Sequence, residues 1–366
     1  MRGSAPGRLD LLGGVADYSG ALVLEMPTRR GVEVVAHPDD AFVVGPVTFT
    51  PADLERLAGL PFAALRGELA ACPRWTRYVI GVVVVLLRHG VIDAPEARLE
   101  IISDLPVSVG VASSAALEVA TARALGAADV EPLRLAALCQ EAENHVVGAP
   151  CGIMDQVAVV LGTADSVLPI LCRPASVAAP MALPAGLEIV GWPTGAPHNV
   201  AGVPYERARA AAFMGKRMVE GAAGRVWPWV SQLPCPAVQE LPDVLEGRAF
   251  LEKWGHTGDD VTVVREDETY PVRAATLFGV EEHVRAVAAL TALRDGEPER
   301  LGPLMQASQD GYNAMGLGHA SATAIVEEAL ARPGVLGARS SGGGCGGTVV
   351  VLCVRGALDD VDGLIR

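Results

Sequence analysis

The stretch from Leu99 to Leu125 constrains the fold more than any other. It runs from LEII, which reads as a strand, through DLPVSVGVASSAAL (104 to 117) into SAALEVATARAL (114 to 125), a helix by its Ala and Leu at amphipathic spacing. A strand fed into a helix through a corner of small residues is a βα unit. Strand-like and helix-like segments with Gly-rich corners alternate along the rest of the chain, so a mixed α/β fold is expected. The same corner suits a polyphosphate, because the first amides of a helix have no internal acceptor and the helix dipole attracts anions. Ser113 and Ser114 add hydroxyls at its mouth. The lysine of a Walker A loop is missing. A plain βα turn with a serine cap would read the same way.

At 366 residues the chain is long enough for two domains, and 50% hydrophobic residues exclude disorder. A net charge of −14 without any Lys/Arg run argues against nucleic acid or an anionic membrane as partner. A bound polyanion must then be held locally, by backbone amides or a metal ion. The seven cysteines are scattered without C-x-x-C spacing, which indicates neither a disulfide framework nor a zinc site. The longest apolar run, Tyr78 to Leu87, falls short of the ~20 residues that cross a bilayer and reads as a core segment. The amino terminus lacks the apolar stretch of a secretory signal. A soluble cytoplasmic protein is expected.

Further along, Leu133 to Val147 reads as one helix with Pro132 near its start, and Gly152 to Leu161 as a shorter one after the break at Gly148-Ala149-Pro150. Cys172 to Leu187, rich in Ala and Pro, reads as a boundary between domains at 1–180 and 181–366, with a strand following at Glu188 to Trp192. The Trp/Pro-rich segment 224–242 looks like a surface excursion or short insertion. Ser340 to Thr348 (SSGGGCGGT) feeds the buried-looking strand Val349 to Val354. Its glycines, Gly343 and Gly344 among them, allow close backbone approach to a ligand, and the flanking apolar strands make a flexible linker the poorer reading.

Two other constellations carry acids. Ala5 to Gly20 (APGRLDLLGGVADYSG) holds Arg8, Asp10 and Asp17 among glycines, and could equally be a turn with a salt bridge. Cys139 to Gln156 (CQEAENHVVGAPCGIMDQ) puts Glu143 on a helix and Asp155 at the start of the next, where one acid could bind a metal and the other act as a base. On spacing alone they are also what a solvated residue and a helix-start acid look like. His145 is read as structural, and Cys151 and Cys345 as packing residues.

These pieces, in this order, resemble the GHMP family of small-molecule kinases almost from end to end. APGRLDLLGG is similar to the family's first motif, PVSVGVASSAAL to its phosphate loop and SSGGGCGGT to its third motif, while CGIMDQ and the preceding Q-x-A-E are galactokinase-type signatures. Within the family, RLDLLGGVADYSGALVLEMP, ENHVVGAPCGIMDQ and RAAAFMGKRM most resemble the kinase halves of plant L-arabinokinases. The resemblance implies an amino-terminal α/β domain of left-handed crossover, a ferredoxin-like carboxyl-terminal domain and an active site in the cleft between them. It implies ATP phosphates on the loop Pro106 to Ala116, including Gly110, Val111, Ser113, Ser114 and Ala115, and Mg²⁺ held by Ser114 and Glu143. Asp155 matches the catalytic aspartate facing the anomeric hydroxyl of an aldose. Arg8 matches the arginine beside it, which can offset charge on the transferring phosphoryl group. Asp17, the backbone at Gly152, and Tyr205 match positions that hold sugar hydroxyls.

One departure bears on the substrate. Galactokinases carry Gly-Glu-His-Thr-Asp-Tyr where this chain has Gly13-Gly14-Val15-Ala16-Asp17-Tyr18, so the two side chains that bind the 6-hydroxyl are replaced by Gly14 and Val15. L-Arabinopyranose has the ring stereochemistry of galactose without the hydroxymethyl arm. The resemblance therefore implies a sugar-1-kinase making L-arabinose 1-phosphate. A galactokinase or other aldose 1-kinase, and a non-catalytic regulatory protein that binds sugar and ATP, are the alternatives. In the phosphate loop Ala112 replaces the first of three serines.

Overall fold

The computed structural model describes residues 1–196 and 203–366. The chain is mixed α/β, as expected, and packs as two compact units that are not contiguous in sequence: residues 1–8, 27–107 and 112–162 form one, and 9–26, 108–111 and 163–366 the other. Two long strands, Arg2–Leu12 and Leu22–Pro38, contribute residues to both units.

In the first unit, Val32 to Pro38 pairs antiparallel with strand Ala97–Ser103, which in turn runs parallel to Phe42–Val44, itself hairpinned to Val47–Phe49. The apolar run at 78 to 87 lies in helix Arg74–Arg88, whose residues Val79 to Leu86 are buried. That helix packs on helices Ser113–Ala124 and Pro132–Glu141. Helix Ser113–Ala124 is rich in Ala, with five alanines among its twelve residues, and is buried on most of its circumference. The single helix expected over 133–147 is interrupted. After Pro132–Glu141 the hydrogen bonding widens into a π turn, Ala142–Val147, and Gly148 at φ 80° ends it. Periodic apolar spacing does not record such a widening, and π turns concentrate at functional positions.

In the second unit, Leu22 to Glu25 pairs with Leu168 to Leu171 of strand Ser166–Cys172. Strand Thr348–Val354 is the centre of a three-stranded antiparallel sheet between Val335–Ser340 and Leu187–Pro193. Its six residues from Thr348 to Cys353 are buried, which is why they read as a continuous apolar run. Helices Val203–Ala223 and Val272–Asp295 pack on each other, and Leu301–Ala314 packs on Val335–Ser340. The Ala/Pro-rich stretch after Cys172 is not bare linker, since Ala175–Val177 and Met181–Ala182 both pair with strand Ser166–Cys172.

Segment 224–242 is a correction. It lies at the surface only in part: Trp227, Val230, Leu233, Val238 and Leu241 are buried in an apolar cluster of the unit while Arg225, Val226, Pro228 and Gln239 are exposed, and Ser231 donates from its hydroxyl to Gly20 O at 2.9 Å. The prolines abolish helical periodicity but not burial.

Candidate active site

Arg8 lies on strand Arg2–Leu12 and Asp155 in the first turn of helix Met154–Leu161. The fold brings them together. Arg8 Nε donates to Asp155 Oδ1 at 2.8 Å, and Nη2 stands 2.7 Å from the same oxygen. The guanidinium side chain is 3% exposed and the carboxylate 23%, so the face this charge-assisted pair presents to a ligand is that of Asp155. Gly152 is buried in the bend before that helix. Cys151 holds the bend, its N–H donating to Asn144 Oδ1 at 2.7 Å and its carbonyl accepting from Gln140 and Asn144.

Glu143 occupies the π turn and is 5% exposed. Its carboxylate accepts from the Ser114 hydroxyl and, at 2.8 Å, from Gln156 Nε2, which also donates to Glu118 Oε2 at 3.3 Å. Burial, and then the charge of Asp155, push the Glu143 carboxyl up to about 7. Burial, and then Glu143, hold the fully buried Glu118 carboxyl well above its ordinary 4.5. Negative charge in this corner is therefore costly until a cation offsets it. Glu118 Oε1 and Gln156 Oε1 are buried without hydrogen-bond partners. Hard oxygen donors so placed fit Mg²⁺, which typically takes one or two protein oxygens besides phosphates and waters. Among the described residues no cluster of three or more His, Cys, Asp or Glu could form an all-protein metal cage.

A raised carboxyl pKa lowers stability as pH rises. The native state keeps a proton that the unfolded chain has released, so the contribution is intact below about 4.5 and is lost as pH climbs above it. Glu118→Gln removes the titration while keeping an oxygen for Gln156. We expect its midpoint of thermal unfolding to exceed wild type at about pH 8 and to converge with it at about pH 4.5. A constant difference between the two pH values would refute the assignment of Glu118 as the titrating group.

The corner that feeds helix Ser113–Ala124 is left-handed at alternate residues: Ser108, Gly110 and Ala112 have φ of 58°, 76° and 57°. Left-handed residues are a component of anion-binding backbone nests. Two of the three bear side chains, a strained choice that functional loops retain. The residue that caps the helix start is Ala112, with no side-chain cap hydrogen bond, so the serine-cap reading fails. The Ser114 hydroxyl goes to Glu143 instead. Pro106 is half-buried at the start of this corner, and Ala115 is buried one residue past Ser114.

In the second unit the third Gly-rich motif is buried and tied down, not a linker. Asp10 and Arg339, both 0% exposed, pair at 2.9 Å. Asp10 also accepts from Gly14 N and Gly342 N at 3.0 Å each, which fastens the first motif to the third. The Tyr312 hydroxyl donates to Gly342 O and accepts from Val15 N at 3.1 Å. Gly14 has φ +47°, and a Cβ there would collide with the Tyr312 hydroxyl and lie 3.0 Å from Arg339 Nη2. A Cβ on Gly344 would lie 2.8 Å from Leu317 O, and Gly343 beside it is buried. Thr348 Oγ1 donates to Val109 O at 2.7 Å, and Val111 is buried two residues on. Val15, Asp17 and Tyr205 are at most 5% exposed. Val15 and Tyr205 belong to the large apolar cluster, and Asp17 Oδ1 accepts from Tyr18 N at 2.6 Å.

Residues 77–163 match the GHMP kinases N terminal domain and residues 289–361 the GHMP kinases C terminal domain. A galactokinase from Chloroflexus aggregans is 34% identical over 97% of this chain and 84% of its own length. This chain belongs to the GHMP kinase family. Membership makes it a phosphotransferase with an alcohol acceptor. The L-arabinokinase of Arabidopsis thaliana is 30% identical over 95% of this chain, which spans 42% of that protein's length. The structure of Lactococcus lactis galactokinase complexed with galactose superposes with a TM-score of 0.78 at 22% identity, covering 98% of this chain and 87% of that one, and supports the fold.

Reading the sequence of this GHMP kinase missed Glu118 and Gln156 as partners of Glu143, and Arg339 and Tyr312 as partners of the first motif. The available signal for Glu118 was a lone acid in a helix of small and apolar residues, where a solvated carboxylate has no open face. No helix among the described residues is long and apolar enough to cross a membrane, and all seven cysteines are free.

Proposed function

We propose that this GHMP kinase transfers the γ-phosphoryl group of ATP to the anomeric hydroxyl of L-arabinose, giving L-arabinose 1-phosphate and ADP. The reading rests above all on the part-buried Arg8–Asp155 pair standing in the same compact unit as the Ser114–Glu143 pair. Phosphoryl transfer asks for positioning and charge neutralisation more than for covalent chemistry. In this reading Asp155 accepts or orients the proton of the attacking hydroxyl, and Arg8 holds Asp155 and offsets charge on the transferring group. The backbone from Pro106 through Gly110, Val111, Ser113 and Ala115 takes the phosphates, and Gly343 and Gly344 are assigned to the nucleotide as well. Ser114 and Glu143 would hold Mg²⁺, whose charge, when bound, neutralises phosphate oxygens. Asp17, Gly152 and Tyr205 are assigned to sugar hydroxyls, with Gly14 and Val15 where an arm would be held. We propose the domain division 1–180 and 181–366 and, supported by seven free cysteines, a cytoplasmic location. Aldose and ATP are the partners proposed, without nucleic acid or membrane.

Ser114→Ala and Glu143→Gln should each raise the Mg²⁺ concentration giving half-maximal activity, with sugar KM little changed. Unaltered Mg²⁺ dependence in both variants would move the metal assignment elsewhere.

The pentose is supported by residues 14 and 15. The space a side chain at Gly14 would need is taken by Tyr312, and Val15 is 2% exposed, so neither offers a hydroxymethyl group a hydrogen bond. Burying an unpaired hydroxyl costs roughly 1–3 kcal/mol, about 5- to 150-fold in kcat/KM. We expect L-arabinose to exceed D-galactose by that order when ADP release is measured with both sugars. The 34% identity to a galactokinase favours galactose as the second reading. Equal values or a galactose preference would establish it in place of arabinose.

A further inference from the structure

Arg209 lies one helical turn beyond Tyr205 on helix Val203–Ala223, and is 5% exposed. Its guanidinium reaches in two directions. On one side Nη2 donates to Asp259 Oδ2 and Oδ1 at 2.9 and 3.1 Å, and Nε stands 3.3 Å from both Asp259 Oδ2 and Thr262 Oγ1. The Thr262 hydroxyl also donates to Asp259 Oδ2. On the other side the guanidinium carbon is 5.1 Å from the ring centroids of Tyr18 and of Phe213. The Tyr18 ring meets that of Tyr205 edge-on at 6.1 Å, and the backbone N–H of Tyr18 donates to Asp17. One buried cation thus connects the loop that carries Asp259 to the two aromatic rings and the acid at 17.

A guanidinium this deeply buried requires a counter-charge, and one over an aromatic face holds that face in place. Asp259 supplies the charge from an irregular loop that no motif marks. Side-chain hydrogen bonds tie the loop. Asp259 N donates to Thr257 Oγ1 at 3.2 Å, and an open pocket of about 340 Å³ lies among Leu251, His256, Asp260 and Val264.

We infer that Asp259 is a positioning residue for the polyol substrate: by pairing with Arg209 it holds Tyr18 and Tyr205 in the orientation that receives the sugar. This rests on the reading above that Tyr205 and Asp17 contact sugar hydroxyls. Asp259 acts through Arg209 and touches no reacting atom, so its removal should appear in sugar affinity and leave the chemical step alone.

The test is steady-state kinetics on the full chain, with the sugar (L-arabinose, or D-galactose if that is the better substrate) and ATP varied separately, for Asp259→Asn, Asp259→Glu and Tyr205→Phe. Asp259→Asn should raise sugar KM about tenfold, the scale of one weakened charge-assisted contact, with kcat and ATP KM within about twofold. Asp259→Glu, which keeps the charge, should recover part of the loss and serves as the test if Asp259→Asn does not fold. Unchanged sugar KM in both Asp259 variants, while Tyr205→Phe raises it, would overturn this inference and leave the sugar site standing. A parallel fall in kcat and both affinities would reduce Asp259 to a structural role and overturn it too. Unchanged sugar KM in Tyr205→Phe would overturn the sugar-site reading and this inference with it.

Discussion

Asp155→Asn should bind nucleotide and sugar as wild type does and lose most of its turnover. The substitution keeps the shape of the side chain and an oxygen that can still accept from Arg8, whose Nε stands 2.8 Å from Asp155 Oδ1. It removes a negative charge and the capacity to take a proton. Loss of a general base typically costs ~10²–10⁴ in rate, about 3–5 kcal/mol of transition-state stabilisation. In the proposed role the interaction lost is one made with the attacking hydroxyl as its proton leaves, so the effect should fall on kcat. Arg8 keeps the site rigid in the variant, being 2% exposed and held in the strand. Turnover within threefold of wild type in the purified protein would exclude a catalytic role for Asp155.

How far such a site can be read from sequence depends on how far apart its partners lie in the chain. The βα corner was legible because its elements are adjacent: a strand, small residues and a helix rich in Ala leave few alternatives, and the helix begins at Ser113, one residue from its expected start. Asp155 at a helix start was legible for the same reason. The Asp10–Arg339 pair was not, since its members are 329 residues apart and neither belongs to a pattern that names the other. Tyr312 is equally silent, because its role comes from where a distant helix delivers its hydroxyl, beside Gly14 and Gly342. The π turn at 142–147 escaped because residue spacing reports which positions are apolar, not which carbonyl each N–H finds. Segment 224–242 misled for a related reason. Its apolar residues are spaced irregularly by prolines, and only the packing partners show that Trp227, Val230 and Leu233 all point inward.

The buried pair itself supplies the second large effect. Arg339→Met should unfold at markedly lower urea than wild type, with a loss of about 3–5 kcal/mol, the usual result of removing one partner of a buried ion pair. Asp10 would be left fully buried with its charge and two backbone donors, the N–H groups of Gly14 and Gly342, and without the cation that Arg339 supplied. Methionine fills much of the volume, so the cost comes mainly from electrostatics and not from a cavity. Arg339 also stands over the Tyr312 ring at 4.9 Å, and Tyr312 fastens Val15 and Gly342, so loosening should spread to both motifs. The double variant Asp10→Asn/Arg339→Met separates the two contributions: with the stranded charge gone, it should lose less than the sum of the single changes, a coupling that contacting residues show and distant ones do not. Stability of Arg339→Met within about 1 kcal/mol of wild type, or strict additivity in the double variant, would mean that the pair does not hold the first and third motifs together.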